Sequence, residues 1–463
     1  MAFDSRESGA GGSFAAVPAS AGPVALALEP EAANAFLGRR MIGLAALANF
    51  LASGVTFGAF GNFVGPTSEA FGVPRSTIGL GAAFTVLAMG ASAPFVGRWL
   101  DSGRAKTMMS LGALVAGAGL LLLSRAQTLG QAAFAYIALV CFGAALFGSV
   151  PSMALATNWY VRRRGLALGF TVAGGTLASY FAPASAQLLI DAHGWRTAAA
   201  VFGAATIGIA VPLFALFLIA RPEEIGQRPD GDAARAAPEP ASSASAATDA
   251  RSSSAGGDAG LLAGLEAPLE LGVLARDRRL WLLAVGFGLI MTSPVVLMGL
   301  LVEYGKDLGF SEQQAAVFFA TMVPFSLLGK IVVGGLADVA PLKPSIVMIV
   351  LVNMLVWGLL HLEPSYPFFL ATGAIYGIGI GGAAPVHGVA TARCFGRANF
   401  GRANGLGAMA GIPLLAGASA LSHLLEGATG SYHTGFLVQI ALVLTGGIAL
   451  ILVRFPSRED GAA

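Results

Sequence analysis

Charge is scarce in this sequence. Only 11% of its 463 residues are Asp, Glu, Lys or Arg, while 56% are hydrophobic. A water-soluble protein of this length needs a solvated face, and this composition cannot supply one. Cysteine is nearly absent: Cys141 and Cys394 fall in or near different apolar runs, so they read as packing residues and not as a disulfide framework. The five histidines show no ligand spacing, so no metal is expected. A net charge of +2 offers no basic surface for nucleic acid. No Gly-Lys-Ser/Thr follows the glycine clusters at 111–120, 174–175 and 377–382. They read as places of close helix approach, and no nucleotide or other cofactor is expected.

Long apolar runs are abundant. They cover 41–64, 76–98, 107–125, 131–157, 165–190 and 196–220, then 280–302, 313–337, 345–361, 367–392, 403–425 and 434–454. Most are long enough to cross about 30 Å of hydrocarbon. A porin-like barrel would need shorter, alternating segments. The mean hydropathy of +0.74 agrees. The expected fold is all-α, with twelve transmembrane helices in two six-helix bundles.

The polar stretches set the domain limits. Residues 1–35 are poor in charge and rich in Gly, Ala, Ser and Pro, and no secretory signal is expected there. A first bundle is expected over 36–221, an Ala/Ser/Pro-rich cytosolic linker over 222–275, a second bundle over 276–456 and a tail over 457–463. Basic residues set the orientation. With both termini inside, the inner segments hold Arg39, Arg40, Arg98, Arg104, Lys106, Arg162 to Arg164, Lys343, Arg393, Arg397 and Arg402, and the outer loops hold few. The expected location is a bacterial inner membrane, with the chain a monomer in the bilayer. Trp99, Trp159, Trp195 and Trp281 lie at predicted helix ends, as an aromatic belt would place them.

One stretch breaks the apolar pattern. In Leu327 to Asp338, LLGKIVVGGLAD, Lys330 stands eight residues before the aspartate. That is about 12 Å deeper along a helix. An ammonium there needs water, a partner or a route to the surface. It either snorkels outward or anchors an anion passing through. No Asp or Glu lies centrally in any predicted span; Glu303, Asp307, Glu312, Asp101 and Asp338 sit at helix ends. On the first helix Asn49 and Thr56 are seven apart and share a face. On the seventh, Ser293 precedes Pro294, where backbone groups open. Tyr180 on the fifth helix, and Tyr376 and His387 on the tenth, are further candidates for contact with a solute; His387 also reads as a structural hydrogen-bonder.

The halves repeat each other. Gly97-Arg-Trp-Leu-Asp101 follows the second helix, and Gly334-Gly-Leu-Ala-Asp338 follows its counterpart with the same spacing. Parallel six-helix repeats suit a carrier whose halves rock about a central site.

Particular motifs carry a resemblance. GRWLDSGRAK at 97–106 resembles the loop signature of the major facilitator superfamily, with Ser102 where that signature has an arginine. NWYVRRRGLALGFTVAGG at 158–175, ARCFGRANFGRANGLG at 392–407 and GSYHTGF at 430–436 resemble its bacterial monocarboxylate and oxalate/formate branch. The resemblance implies a carrier and not an enzyme. It implies that Lys330 takes the place of a carboxylate-binding arginine, with loss of the flat two-pronged donor. It implies that Ser326 replaces an aspartate of proton-coupled relatives. The eleventh-helix lysine of oxalate carriers has no equivalent, since 403–425 holds no Lys or Arg. It also implies that the loop charges Asp101, Arg104 and Arg162, with Asp338, latch the bundles in one state. The expected partner is a small organic anion, a monocarboxylate first, moved with protons or by exchange. The alternatives are oxalate/formate exchange, or a drug or sugar carrier in which Lys330 is structural.

Overall fold

Each polar break between apolar runs ends a helix. The computed structural model describes residues 36–231 and 269–456, apart from the side chains of Asp101, Ser419 and His423. The expected segments 1–35 and 457–463, and residues 232–268 of the expected linker, lie outside the described residues. Residues from Leu37 onward belong to one compact unit.

The first half contains α1 (Gly38–Phe71), α2 (Arg75–Asp101), α3 (Ala105–Arg125) and α4 (Leu129–Trp159). An apolar helical run then extends from Arg164 to Phe217. Fifty-four residues of helix would be about 80 Å long, far more than one bilayer crossing. Gly194, at φ 80°, breaks this run into α5 (164–193) and α6 (195–217). A left-handed turn of this kind is open to glycine at little cost. The second half contains α7 (Arg278–Asp307), α8 (Glu312–Val339), α9 (Leu342–His361), α10 (Tyr366–Phe395), α11 (Phe400–Thr429) and α12 (Tyr432–Ile451). Among the described residues the eleven apolar helical segments are therefore twelve spans, six in each half. The regular structure among the described residues is helical throughout.

The helices of the two halves differ in kind. Wide π-helical turns interrupt α1 at Gly54–Gly58, α4 at Phe134–Cys141 and α6 at Thr206–Ala210. Among the described residues the second half has none. Internal prolines occur in both halves: Pro66 in α1, Pro94 in α2 and Pro183 in α5, then Pro294 in α7, Pro324 in α8, Pro385 in α10 and Pro413 in α11.

The halves meet along α2 with α11 and α5 with α8. Small residues set that approach. A Cβ on Gly97 would stand 2.3 Å from the Gly401 carbonyl oxygen, and one on Gly165 would stand 2.0 Å from that of Gly334. Backbone thus packs directly on backbone, as close-packed membrane helices require. The aromatic belt forms only in part. Trp281 is exposed, but Trp159 and Trp195 are buried, and Trp159 Nε1 donates to the Ile219 carbonyl at 3.0 Å. A buried indole needs such an acceptor.

Candidate functional site

Lys330 sits on the face of α8 that meets the other half. The Lys330 carbonyl lies under Gly169 of α5, and the Ser326 carbonyl lies under Gly381 of α10. The ammonium is half-buried and donates to Ser326 Oγ, one turn back, at 3.1 Å. Ser326 itself is buried. Among the described residues Lys330 forms no ion pair, and the acidic side chains lie in loops or in terminal helical turns. Helical i,i+4 spacing brings the serine to the lysine. The serine supplies a dipole and no counter-charge.

The other expected contact residues do not gather around it. Tyr376 and Ser293 do meet, in the interior of the second half. Tyr376 O–H donates to Ser293 Oγ at 2.9 Å, and Trp357 Nε1 donates to the same oxygen at 2.8 Å. All three side chains are fully buried. Beside them Gln439 Nε2 donates to Thr292 Oγ1 at 2.7 Å, and Thr292 donates to the Leu289 carbonyl at 2.6 Å. This network joins α7, α9, α10 and α12. In the first half, Thr56 lies on the π-helical turn of α1. Its hydroxyl donates to the Ala52 carbonyl at 2.7 Å, and its own carbonyl accepts from Tyr136 O–H of α4 at 2.6 Å. Asn49 Nδ2 donates to the Thr171 carbonyl of α5 at 3.2 Å. His387 is half-buried, its ring 4.7 Å from that of Phe287. Tyr180 is exposed and stands edge-on to Phe181.

Sequence reasoning passes over Tyr136 and Gln439. The signal was present for the glutamine, a polar amide inside the apolar run 434–454. For Tyr136 nothing in the sequence marks the π-helical turn that presents a carbonyl to it.

The arginine-rich end of the molecule ties the halves together. Asp338, at the end of α8, accepts from Gly165 N–H at 2.6 Å and Leu166 N–H at 2.8 Å, both in the first turn of α5. These are amides a helix start leaves without intrahelical partners, and the helix dipole adds attraction for a carboxylate. Arg397 donates to the Asn158 carbonyl at 3.1 Å and pairs with Glu223 at 2.6 Å. Asp230 accepts from the N–H groups of Val161 and Arg162 at 3.0 and 2.9 Å, so residues 222–231 fold back over the α4–α5 turn. Arg104 is exposed at the start of α3. Asp101 closes α2, and its side chain lies outside the described residues. Asp277 caps α7 through Arg279 N–H at 2.8 Å. Burial pushes its carboxyl up, but the hydrogen bonds and charge of Arg279 outweigh burial and hold it below the usual range.

Comparison with known proteins places this architecture. The family model described as Major Facilitator Superfamily matches residues 42–356. The chain belongs to that superfamily. Among its superfamily relatives, MFS-type transporter pynF of Aspergillus niger (strain ATCC MYA-4892 / CBS 513.88 / FGSC A1513) is 26% identical over 43% of this chain, which spans 37% of the fungal protein. Monocarboxylate transporter 12 of Rattus norvegicus is 26% identical over 75% of this chain and 71% of its own length. Riboflavin transporter RibJ of Trypanosoma brucei brucei (strain 927/4 GUTat10.1) is 32% identical over 32% of this chain and 25% of its own length. Among solved structures, an outward-facing bacterial homologue of the iron transporter ferroportin superposes with a TM-score of 0.64 at 14% identity, covering 90% of this chain and 98% of that one. The superfamily fold, its many membrane spans and a transporter's place in it follow.

Proposed function

We propose that this superfamily member is a secondary active transporter of small organic anions, with monocarboxylates as the favoured class. The observation that carries the reading is the Lys330 ammonium: half-buried within a span, bonded to a serine and unmatched by a carboxylate among the described residues. A positive charge so placed is costly while the site is empty, and an anion of single charge relieves it. Similarity to a monocarboxylate transporter supports the same class. Ser326 orients the ammonium, and Tyr180 and His387 are the remaining candidates for solute contact. Asn49, Thr56, Tyr376 and Ser293 act in this reading by fastening the helices around the path. With no acidic group central in a span, a symported proton would travel on Lys330, on His387 or with the solute, and anion exchange is equally compatible.

The two halves would rock about this site while Asp338, and Asp101 by repeat, hold the arginine-rich end shut. The bias of basic residues supports placing that end, and both termini, in the cytoplasm of a bacterium. The described form is then closed to the inside.

Proteoliposomes loaded with unlabelled anion should accumulate labelled lactate, pyruvate, acetate or formate by counterflow. Lys330→Ala should reduce this to background with folding intact, and Lys330→Arg should shift preference toward planar carboxylates. Full counterflow in the alanine variant, or counterflow of neutral solutes only, would defeat the reading. The second outcome would favour a carrier of another solute class, which similarity to a riboflavin transporter supports.

A further inference from the structure

A groove of about 420 Å³ lies between α1 and α5 at the arginine-rich end, and Lys330 is not among its lining residues. Its lining is ordered along both helices. Arg39 stands at the start of α1, followed by Ile42, Gly43 and Ala46; Arg163 and Tyr160 stand before α5, followed by Leu166, Ala167 and Phe170. Ile42 and Ala46 are four residues apart, as are Leu166 and Phe170, so each pair follows one helical face. Both helices begin at this end, so cations lie at the membrane surface and apolar side chains lie below them. Arg39 and Arg163 are exposed, and neither has a carboxylate partner among the described residues. Burial raises the Tyr160 phenol above its ordinary value, Arg39 and Arg163 pull it back, and Asp230 pushes it up again. Arg39, Arg163 and Tyr160 all line the same end of the groove. Among the described residues Asp230 is the acid that acts on Tyr160, and one of its oxygens is committed to the Val161 and Arg162 amides; Asp338, near Leu166, is committed to the Gly165 and Leu166 amides. A Cβ on Gly43 would meet open space, so the groove floor is free.

We infer that this groove binds an anionic phospholipid. Its phosphate lies between Arg39 and Arg163 with the Tyr160 hydroxyl beside it, and one acyl chain runs past Gly43 and Ala46 toward Phe170. Charge complementarity selects the headgroup, because two arginines meet one phosphate. The apolar continuation selects a lipid over a free anion. The site does not depend on which solute the protein carries.

Native mass spectrometry of the full-length protein in detergent tests this, with dioleoyl phosphatidylglycerol, dioleoyl phosphatidylcholine and glycerol phosphate as probes. Phosphatidylglycerol should be retained in preference to phosphatidylcholine. Arg39→Gln and Arg163→Gln should each weaken its binding about five-fold, corresponding to about 1 kcal/mol per basic residue. Gly43→Trp, which fills the groove and leaves both arginines, should also weaken it. Undiminished phosphatidylglycerol binding in the double glutamine variant would overturn the proposal. So would equal retention of phosphatidylcholine. Competition by glycerol phosphate at the affinity of the whole lipid would also overturn it, by making the groove a free-anion site.

Discussion

In each half a tyrosine on the fourth helix reaches the first helix, and the two bonds are made differently. Tyr136 of α4 donates to a backbone carbonyl, that of Thr56 in α1; Tyr376 of α10 donates to a side chain, Ser293 of α7. A regular α-helix uses its carbonyls internally. The first half frees one with the π-helical turn at Gly54–Gly58. The second half has no π-helical turn at this point, only Pro294 after Ser293, and supplies the serine oxygen, which also accepts from Trp357. Similar tertiary joints can thus rest on a backbone irregularity or on a side-chain network, and the two should fail differently when cut.

The sharpest cut is Ser293→Ala. It removes the shared acceptor and leaves two buried donors, Tyr376 O–H and Trp357 Nε1, unpaired. We expect a loss of about 2–3 kcal/mol, read as lowered thermal stability in nanodiscs. A change under half of that would mean the network carries little energy.

Tyr136→Phe comes next. It strands the buried Thr56 carbonyl where the π-helical turn has opened it, at a cost of about 1–2 kcal/mol. Hydrogen exchange should rise along 54–58 in this variant and stay unchanged in α7. If exchange does not rise there, the tyrosine does not hold the turn.

Tyr376→Phe should cost less, about 0.6 kcal/mol, the average for hydrogen bonds between membrane helices. Trp357 still occupies Ser293. A larger loss than for Tyr136→Phe would reverse the contrast between the halves.

The smallest effect is expected for Gln439→Leu. Gln439 Oε1 is buried without a partner, and Thr292 keeps its own acceptor in the Leu289 carbonyl. Removing an unsatisfied oxygen offsets the lost bond, so stability should change by under about 0.5 kcal/mol or rise. A marked loss would show that this amide is part of the joint.

Much of the fold and one element of the candidate site were legible in the sequence. Lys330 was conspicuous because a cation inside an apolar run is rare. The Gly-to-Asp repeats at 97–101 and 334–338 pointed to equivalent helix ends, and Gly97 and Gly334 do lie at the two contacts between halves. The grouping of hydroxyls was not legible. Asn49, Thr56, Ser293 and Tyr376 share the polarity expected of cavity residues, yet each is buried; Asn49, Ser293 and Tyr376 bond to a neighbouring helix, and the Thr56 hydroxyl bonds to Ala52 of its own.

From the sequence alone came the helical spans and an amine with no central carboxylate in any predicted span. Hydrocarbon sets a minimum run length and makes every charge within it conspicuous. Only the tertiary structure decided that Asp338 caps α5 of the opposite half, that Tyr376 and Trp357 share one serine oxygen, and that Arg39 and Arg163 flank one groove. A helix that is apolar on all sides has no polar stripe to reveal which face turns inward. Its rotation is set by where glycines let a neighbour approach, and that is known only when both helices are in place.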